Sequence, residues 1–196
     1  MQGDRDLTDA DAKYAGEHPY DHAGAALSTA GDANGDGVPD VLLGGSGNDD
    51  GGNMAGAAWL VLGSSSPGDL DLENADAQFT GQTEGSCAGG TVSTAGDVNA
   101  DGFDDLIVGA YSNSGGGSAA GAAYLVLGSA SPSDLELASA DARYEGEEVG
   151  DEAGFSVSAA GDVNRDGFGD LLVGAPQNDA GGPRAGRAYL ILGTGW

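Results

Sequence analysis

Short runs of alternating or continuous apolar residues recur along the chain, separated by glycine-rich turns. In the last third the runs are Asp141–Glu145, Gly154–Ala160, Asp170–Ala175 and Arg187–Leu192, the pattern of short β-strands. In the second of these, Phe155, Val157 and Ala159 point one way and Ser156, Ser158 and Ala160 the other. Leu171-Leu172-Val173 and Ala188-Tyr189-Leu190-Ile191-Leu192 are apolar throughout, and a strand apolar on both faces needs cover on both. Asp141-Ala142-Arg143-Tyr144-Glu145 alternates with charge and reads as an exposed edge. No useful length carries a helical period. The expected fold class is all-β.

The runs belong to an internal repeat. Ala-Gly-Asp-Ala-Asn-Gly-Asp-Gly begins at Ala30, Ala-Gly-Asp-Val-Asn-Ala-Asp-Gly at Ala95 and Ala-Gly-Asp-Val-Asn-Arg-Asp-Gly at Ala160, both intervals being 65 residues. Asp11, Asp76 and Asp141 keep the same spacing, as do Tyr14, Phe79 and Tyr144, and Trp59, Tyr124 and Tyr189. Four-stranded units at a fixed period, with doubly covered strands, suit sheets stacked face to face around an axis. The reading is a single repeat domain over 1–196, with three β-propeller blades at about 10–74, 75–139 and 140–196 and the N-terminal strand completing a last blade. With three repeats filling these 196 residues, no separate catalytic domain is expected within them.

The chemistry of each repeat sits in one nine-residue loop: 32–40, 97–105 and 162–170. Hard oxygen donors fall at positions 1, 3, 5 and 9, and glycine at position 6 permits a sharp turn. A backbone carbonyl at position 7 would complete a shell of the kind Ca²⁺ takes, six to eight oxygens in flexible geometry. Mg²⁺ fits less well because it keeps waters and uses few protein carboxylates. Asp, Asn and Gly are also ordinary turn residues, but three loops in identical phase favour metal. An EF-hand is excluded, since its position 12 would be Leu43, Val108 or Val173, inside an apolar run.

The stretch Asp162–Pro176, Asp-Val-Asn-Arg-Asp-Gly-Phe-Gly-Asp-Leu-Leu-Val-Gly-Ala-Pro, resembles the FG-GAP repeat of the integrin α-subunit propeller and its bacterial relatives. The resemblance covers the whole chain. It implies one blade per repeat, with Ca²⁺ held in the hairpin loop between a blade's first and second strands. The implied ligands are Asp32, Asn34, Asp36, the Val38 carbonyl and Asp40; then Asp97, Asn99, Asp101, the Phe103 carbonyl and Asp105; then Asp162, Asn164, Asp166, the Phe168 carbonyl and Asp170. It also implies adhesion as the role and an extracellular or cell-surface location. The family's Phe before Gly is Ala23, Ala88 and Ala153 here, and Gly-Ala-Pro is whole only at Gly174-Ala175-Pro176.

Composition narrows the function. Thirty-two acidic against six basic residues give a formal charge of −26, which repels polyphosphate and excludes nucleic acid. Glycine, 38 of 196, stands far above its usual share of roughly 7%. No apolar run approaches a membrane span. Residues 1–6 lack the basic and apolar regions of a leader, so the segment reads as cytosolic or as mature sequence from an exported chain. Catalysis is not expected. His18 and His22 occur in the first repeat only, Cys87 has no recurring partner, and Ser64–Ser66 and Ser112–Ser118 read as loop filler.

Propellers have about four to eight blades, so three leave open apolar faces that should associate. The expected partner is a second copy, giving a homodimeric six-bladed ring by reciprocal strand exchange. Alternatives are a fragment of a larger adhesion propeller and a glycan-binding propeller. The glycan reading needs Trp59, Tyr124 and Tyr189 as an aromatic platform, whereas their place inside apolar runs makes them core.

Overall fold

Each alternating or apolar run becomes a strand, because its glycine-rich neighbours release the chain into turns. The computed structural model describes residues 6–194; the N-terminal segment read as lacking a leader lies, up to residue 5, outside them. The strands are β1 (Tyr14–Ala15), β2 (Ala26–Gly31), β3 (Asp40–Gly45), β4 (Ala57–Val61), β5 (Leu70–Asp71), β6 (Ala77–Thr80), β7 (Thr91–Gly96), β8 (Asp105–Ala110), β9 (Ala122–Val126), β10 (Leu135–Glu136), β11 (Ala142–Glu145), β12 (Ser156–Gly161), β13 (Asp170–Ala175) and β14 (Arg187–Ile191). Three single-turn 3₁₀ segments, Leu7–Asp9, Leu72–Asn74 and Leu137–Ser139, are the helical content of the described residues. The protein is all-β, as its pattern requires.

The strands form blade-like antiparallel sheets. In the first, β2, β3, β4 and β6 lie in that spatial order, with β10 added along β6; in the second the order is β7, β8, β9, β11. Sheet and sequence repeat are therefore out of phase. Each of these sheets takes three strands from one repeat and its outermost from the start of the next. The third sheet has β12, β13 and β14, with no described strand on the free edge of β14. β1 pairs in parallel with β5, Tyr14 opposite Leu70, as β6 pairs with β10, Phe79 opposite Leu135. β1 thus occupies the outermost position of a sheet that would precede the first.

The sheets stack through apolar faces. Leu42, Leu60 and Phe79 of the first sheet pack on Leu106, Val108, Tyr124 and Val126 of the second. Ile107, Ala123 and Leu125 on the other face of the second meet Leu171 and Val173 of the third. A third cluster, Leu43, Trp59, Val61 and Leu72, is covered by Tyr14 and Leu70 of the two-stranded β1–β5 pair rather than by a full sheet. Close stacking depends on Gly44 and Gly109, where an added Cβ would stand 2.1 Å from the carbonyl oxygen of Gly89 or Gly154 in the next sheet.

The third sheet keeps one face open, and the first is uncovered on its outer face only toward β2, where Leu27 lies beside the buried Leu43 and Trp59. Leu172 is 38% and Leu190 51% exposed on the third, and Leu27 is 65% exposed on the first. The strands read as doubly covered are so in the second sheet, where β8 and β9 are buried throughout, whereas β13 and β14 alternate.

Candidate metal centre

The acidic loops are the β2–β3, β7–β8 and β12–β13 hairpins, all at the same end of the sheets. Entry is set by a register shift between Thr29 and Gly31, Thr94 and Gly96, and Ala159 and Gly161, a bulge that turns the first strand into the loop. Gly31, Gly96 and Gly161 hold φ near +70°, a conformation glycine adopts without strain.

Inside the loop the short polar side chains replace a backbone ladder. In the first loop the Asp36 amide donates to Asp32 Oδ1 and Asn34 Oδ1, both at 3.0 Å, and the Gly37 amide donates to Asp32 Oδ2 at 2.9 Å. The Val38 amide donates to Asp36 Oδ1 and Asn34 Nδ2 to Asp36 Oδ2. The second loop repeats these bonds on Asp97, Asn99 and Asp101. The third repeats them on Asp162, Asn164 and Asp166. Positions 1, 3 and 5 thus turn their oxygens inward on one tight loop.

Position 9 has a second task that sequence spacing did not reveal. Asp40, Asp105 and Asp170 are 0–1% exposed. Asp40 accepts the Ala33 amide on Oδ2 and the Gly63 amide on Oδ1, at 2.9 and 2.8 Å. Asp105 does the same with Val98 and Gly128, and Asp170 with Val163 and Gly193. One carboxylate therefore straps the loop to the segment leaving the third strand. Burial above all pushes the Asp105 carboxyl up to about 6, with the charges of Asp101 and Asp97 adding to it and the two amides pulling the other way. Asp40 is raised by the same causes, Asp36 and Asp32 contributing.

The donor set fits a hard divalent cation. Each loop offers carboxylate, amide and carbonyl oxygens, and a carboxylate oxygen holding one N–H keeps a further lone-pair site. The described ion pairs are Glu17–His18, Arg143–Glu145 and Arg187–Glu147, so no protein cation neutralises a loop carboxylate. The three carboxylates of a loop do not gather as tightly as Glu17, His18 and Asp21, whose ligand atoms lie within 4.8 Å of one another.

Sequence reasoning set His18 aside as surface, and it is exposed, but it adjoins a polar knot at the opposite end of the sheets. Asn48 Nδ2 donates to Glu17 Oε1 and Asp50 Oδ2, both at 3.1 Å, and Gln78 Nε2 bridges the same two carboxyls. Burial and Asp50 raise the Glu17 carboxyl, whereas the hydrogen bond from Glu17 lowers Asp50. The signal that could have found this knot is Asn48, Asn113 and Asn178, spaced by 65 and all buried. Asn113 instead binds the Tyr124 hydroxyl, and Asn178 binds Asp151.

Of the three aromatic residues a glycan platform would need, two lie in the core and the third, Tyr189, is half-buried. Trp59 and Tyr124 are 0% and 2% exposed, so neither presents a ring face to a sugar. Cys87 is buried and free.

Residues 88–126 and 153–191 match the FG-GAP repeat. Integrin alpha pat-2 of Caenorhabditis elegans is 32% identical over 207 residues, taking in 98% of this chain and 16% of that protein. Its Caenorhabditis briggsae namesake is 31% identical over 219 residues, with the same two shares. Integrin alpha-PS2 of Drosophila melanogaster is 33% identical over 122 residues, 59% of this chain and 8% of that protein. The chain thus spans less than a fifth of the length of these curated relatives. The nine-residue loop of the first repeat follows the same pattern as those of the two matched segments, so the chain carries FG-GAP repeats and is built of integrin α-like β-propeller blades.

Proposed function

We propose that this chain is a calcium-stabilised propeller module that presents an interaction surface, not an enzyme. The observation that carries the reading is the threefold loop: inward-turned oxygens in identical phase, each loop without a protein counter-cation. One Ca²⁺ per loop, three per chain, would be held by the fifteen residues named from the sequence. An ion that binds only the folded state adds about 2.7 kcal/mol per site at a hundredfold excess over Kd. The acidic loops would otherwise repel themselves, so the ion acts as a structural clasp.

The integrin relatives support a role in adhesion at the cell surface, with protein partners. None of the described helices is long and apolar enough to cross a membrane. The open faces of the first and third sheets support self-association, two chains making one six-bladed ring, within the usual range of blade number. The relatives' greater length favours a second reading, in which further blades of a longer propeller cover those faces.

The test is calorimetry with Ca²⁺, with Mg²⁺ and with chelator, combined with absolute mass by light scattering. Three Ca²⁺ per chain, a large rise in melting temperature and a doubled mass are expected. Absence of Ca²⁺-dependent stabilisation overturns the metal role. A folded monomer at all concentrations overturns self-association and favours the longer propeller.

A further inference from the structure

The two open faces correspond to the two sides of junctions that the chain already makes internally. At the junction of the first and second sheets lies a cavity of about 140 Å³. Its walls include Phe79, Val126, Leu127 and Leu135, and Ala33 and Leu60 of the preceding sheet close it. On the open side of the first sheet the same cavity recurs 65 residues earlier, walled by Tyr14, Val61, Leu62 and Leu70, but with a volume of about 480 Å³. The first-sheet cavity lacks the residues that would stand where Ala33 and Leu60 stand. Their repeat equivalents on the third sheet are Val163 and Leu190, each 51% exposed. One end of the chain carries the socket, and the other carries the plug.

The strand edges match in the same way. In the first sheet Ala57, Ala58 and Trp59 of β4 stand opposite Thr80, Phe79 and Gln78 of β6; in the second, Ala122, Ala123 and Tyr124 of β9 stand opposite Glu145, Tyr144 and Arg143 of β11. Shifted by one more repeat, β14 offers Arg187, Ala188 and Tyr189 to a strand reading Ala15, Tyr14, Lys13. That strand is β1, already tied to β5 as β6 is tied to β10. Its backbone anchoring repeats too: the Lys13 amide donates to Asp69 Oδ1 as the Gln78 amide donates to Asp134 Oδ1, both at 2.9 Å. The chain's single lysine would face Tyr189 where Arg143 lies 5.6 Å over Tyr124.

We propose that a second copy of this chain seats the open face of its third sheet on the first sheet. Val163 and Leu190 of one copy then enter the Tyr14–Val61–Leu70 socket of the other, and β1 pairs antiparallel with β14 in the register Ala15–Arg187, Tyr14–Ala188, Lys13–Tyr189. The inference rests on the self-association reading and specifies its interface. Two such junctions, related by a twofold axis, close the ring. The junction also repeats a backbone contact, in which the Ser129 amide donates to the Ala33 carbonyl at 3.0 Å; Ser64 and Val163 take those places between copies. It lacks another. The Asp104 and Gly169 amides donate to the Asp32 and Asp97 carbonyls, and the corresponding residue facing Asp162 is Pro39, which has no N–H.

Gly174 supplies the discriminating variant. Gly44 and Gly109 face the carbonyls of Gly89 and Gly154, so between copies Gly174 faces the Gly24 carbonyl. Within one chain an added Cβ at Gly174 meets the Ser156 hydroxyl, a side chain free to rotate. Gly174→Ala should fold with an unchanged far-ultraviolet spectrum yet shift the dimer dissociation constant at least tenfold by light scattering with Ca²⁺ present. In a Cys87→Ser background, Ala15→Cys with Arg187→Cys should oxidise with glutathione disulfide to a covalent dimer, two thiols giving one interchain disulfide at each junction. A dimer that neither responds to Gly174→Ala nor cross-links overturns this interface while leaving self-association intact. A chain that stays monomeric overturns both.

Discussion

At the scale of residues, the third carboxylate of each loop differs from the first two. Asp101 is exposed and bonded only within its loop, whereas Asp105 is buried and holds two backbone amides from separate segments. Asp105→Asn places a donor against one of those amides and should cost about 1–3 kcal/mol, measured by urea unfolding, with chelator as well as with Ca²⁺. Asp101→Asn should leave the chelated protein within about 0.5 kcal/mol of the parent and reduce the Ca²⁺-induced stabilisation. The Glu17–Asp50 pair makes an opposite prediction. Burial and Asp50 hold the Glu17 carboxyl above its ordinary range, so its ionised form is the one the fold disfavours. It subtracts stability at pH 7 and progressively less as pH falls through the carboxylate range. Glu17→Gln, with glutamine already present at the equivalent Gln82, should stabilise slightly at pH 7, by no more than about 0.5 kcal/mol once solvent screening is allowed for. The gain should vanish toward pH 4, read from thermal midpoints.

At the scale of elements, strands and loops were legible because their chemistry is local. Asp170–Ala175 is a strand at the expected bounds, and the acidic hairpins lie where the period puts them. Pairing between repeats was legible only at the ends, where the N-terminal strand is expected to complete a last blade. The charged alternation of Asp141–Glu145 marks an edge strand, yet nothing in those five residues says that β11 joins β9 of the sheet before it. The strap role of position 9 was equally hidden, because Gly63 and Gly128 lie 23 residues further along the chain. Pro39 is a departure at the same level: it withholds the amide that Asp104 and Gly169 donate across their junctions. Pro39→Gly should loosen the single chain slightly through unfolded-state entropy. It should tighten the dimer roughly 2- to 10-fold per junction, by the worth of one hydrogen bond, measured by sedimentation.

At the scale of the whole molecule, charge works against assembly. Each chain carries −26 before any ion binds, so apposing two chains is strongly opposed at low ionic strength. The Debye length shrinks from about 30 Å at 0.01 M salt to about 3 Å at 1 M. Dimer affinity should therefore rise steeply with added monovalent salt, unlike an interface held by exposed ion pairs. Mass measurements in a sodium chloride series at fixed Ca²⁺ check this, and a flat response would refute net charge repulsion as the term that opposes the dimer.

The offset between repeat and sheet also governs what a protease can detach. The exposed linker from Ser64 to Asp69 is the natural place for a cut. A cut there severs the peptide between β4 and β6, but β6 remains the outer strand of the sheet containing β4. The two pieces stay interlocked by four antiparallel residue pairs and the apolar seam behind them. A nicked chain should run as two bands when denatured and elute as one particle when native.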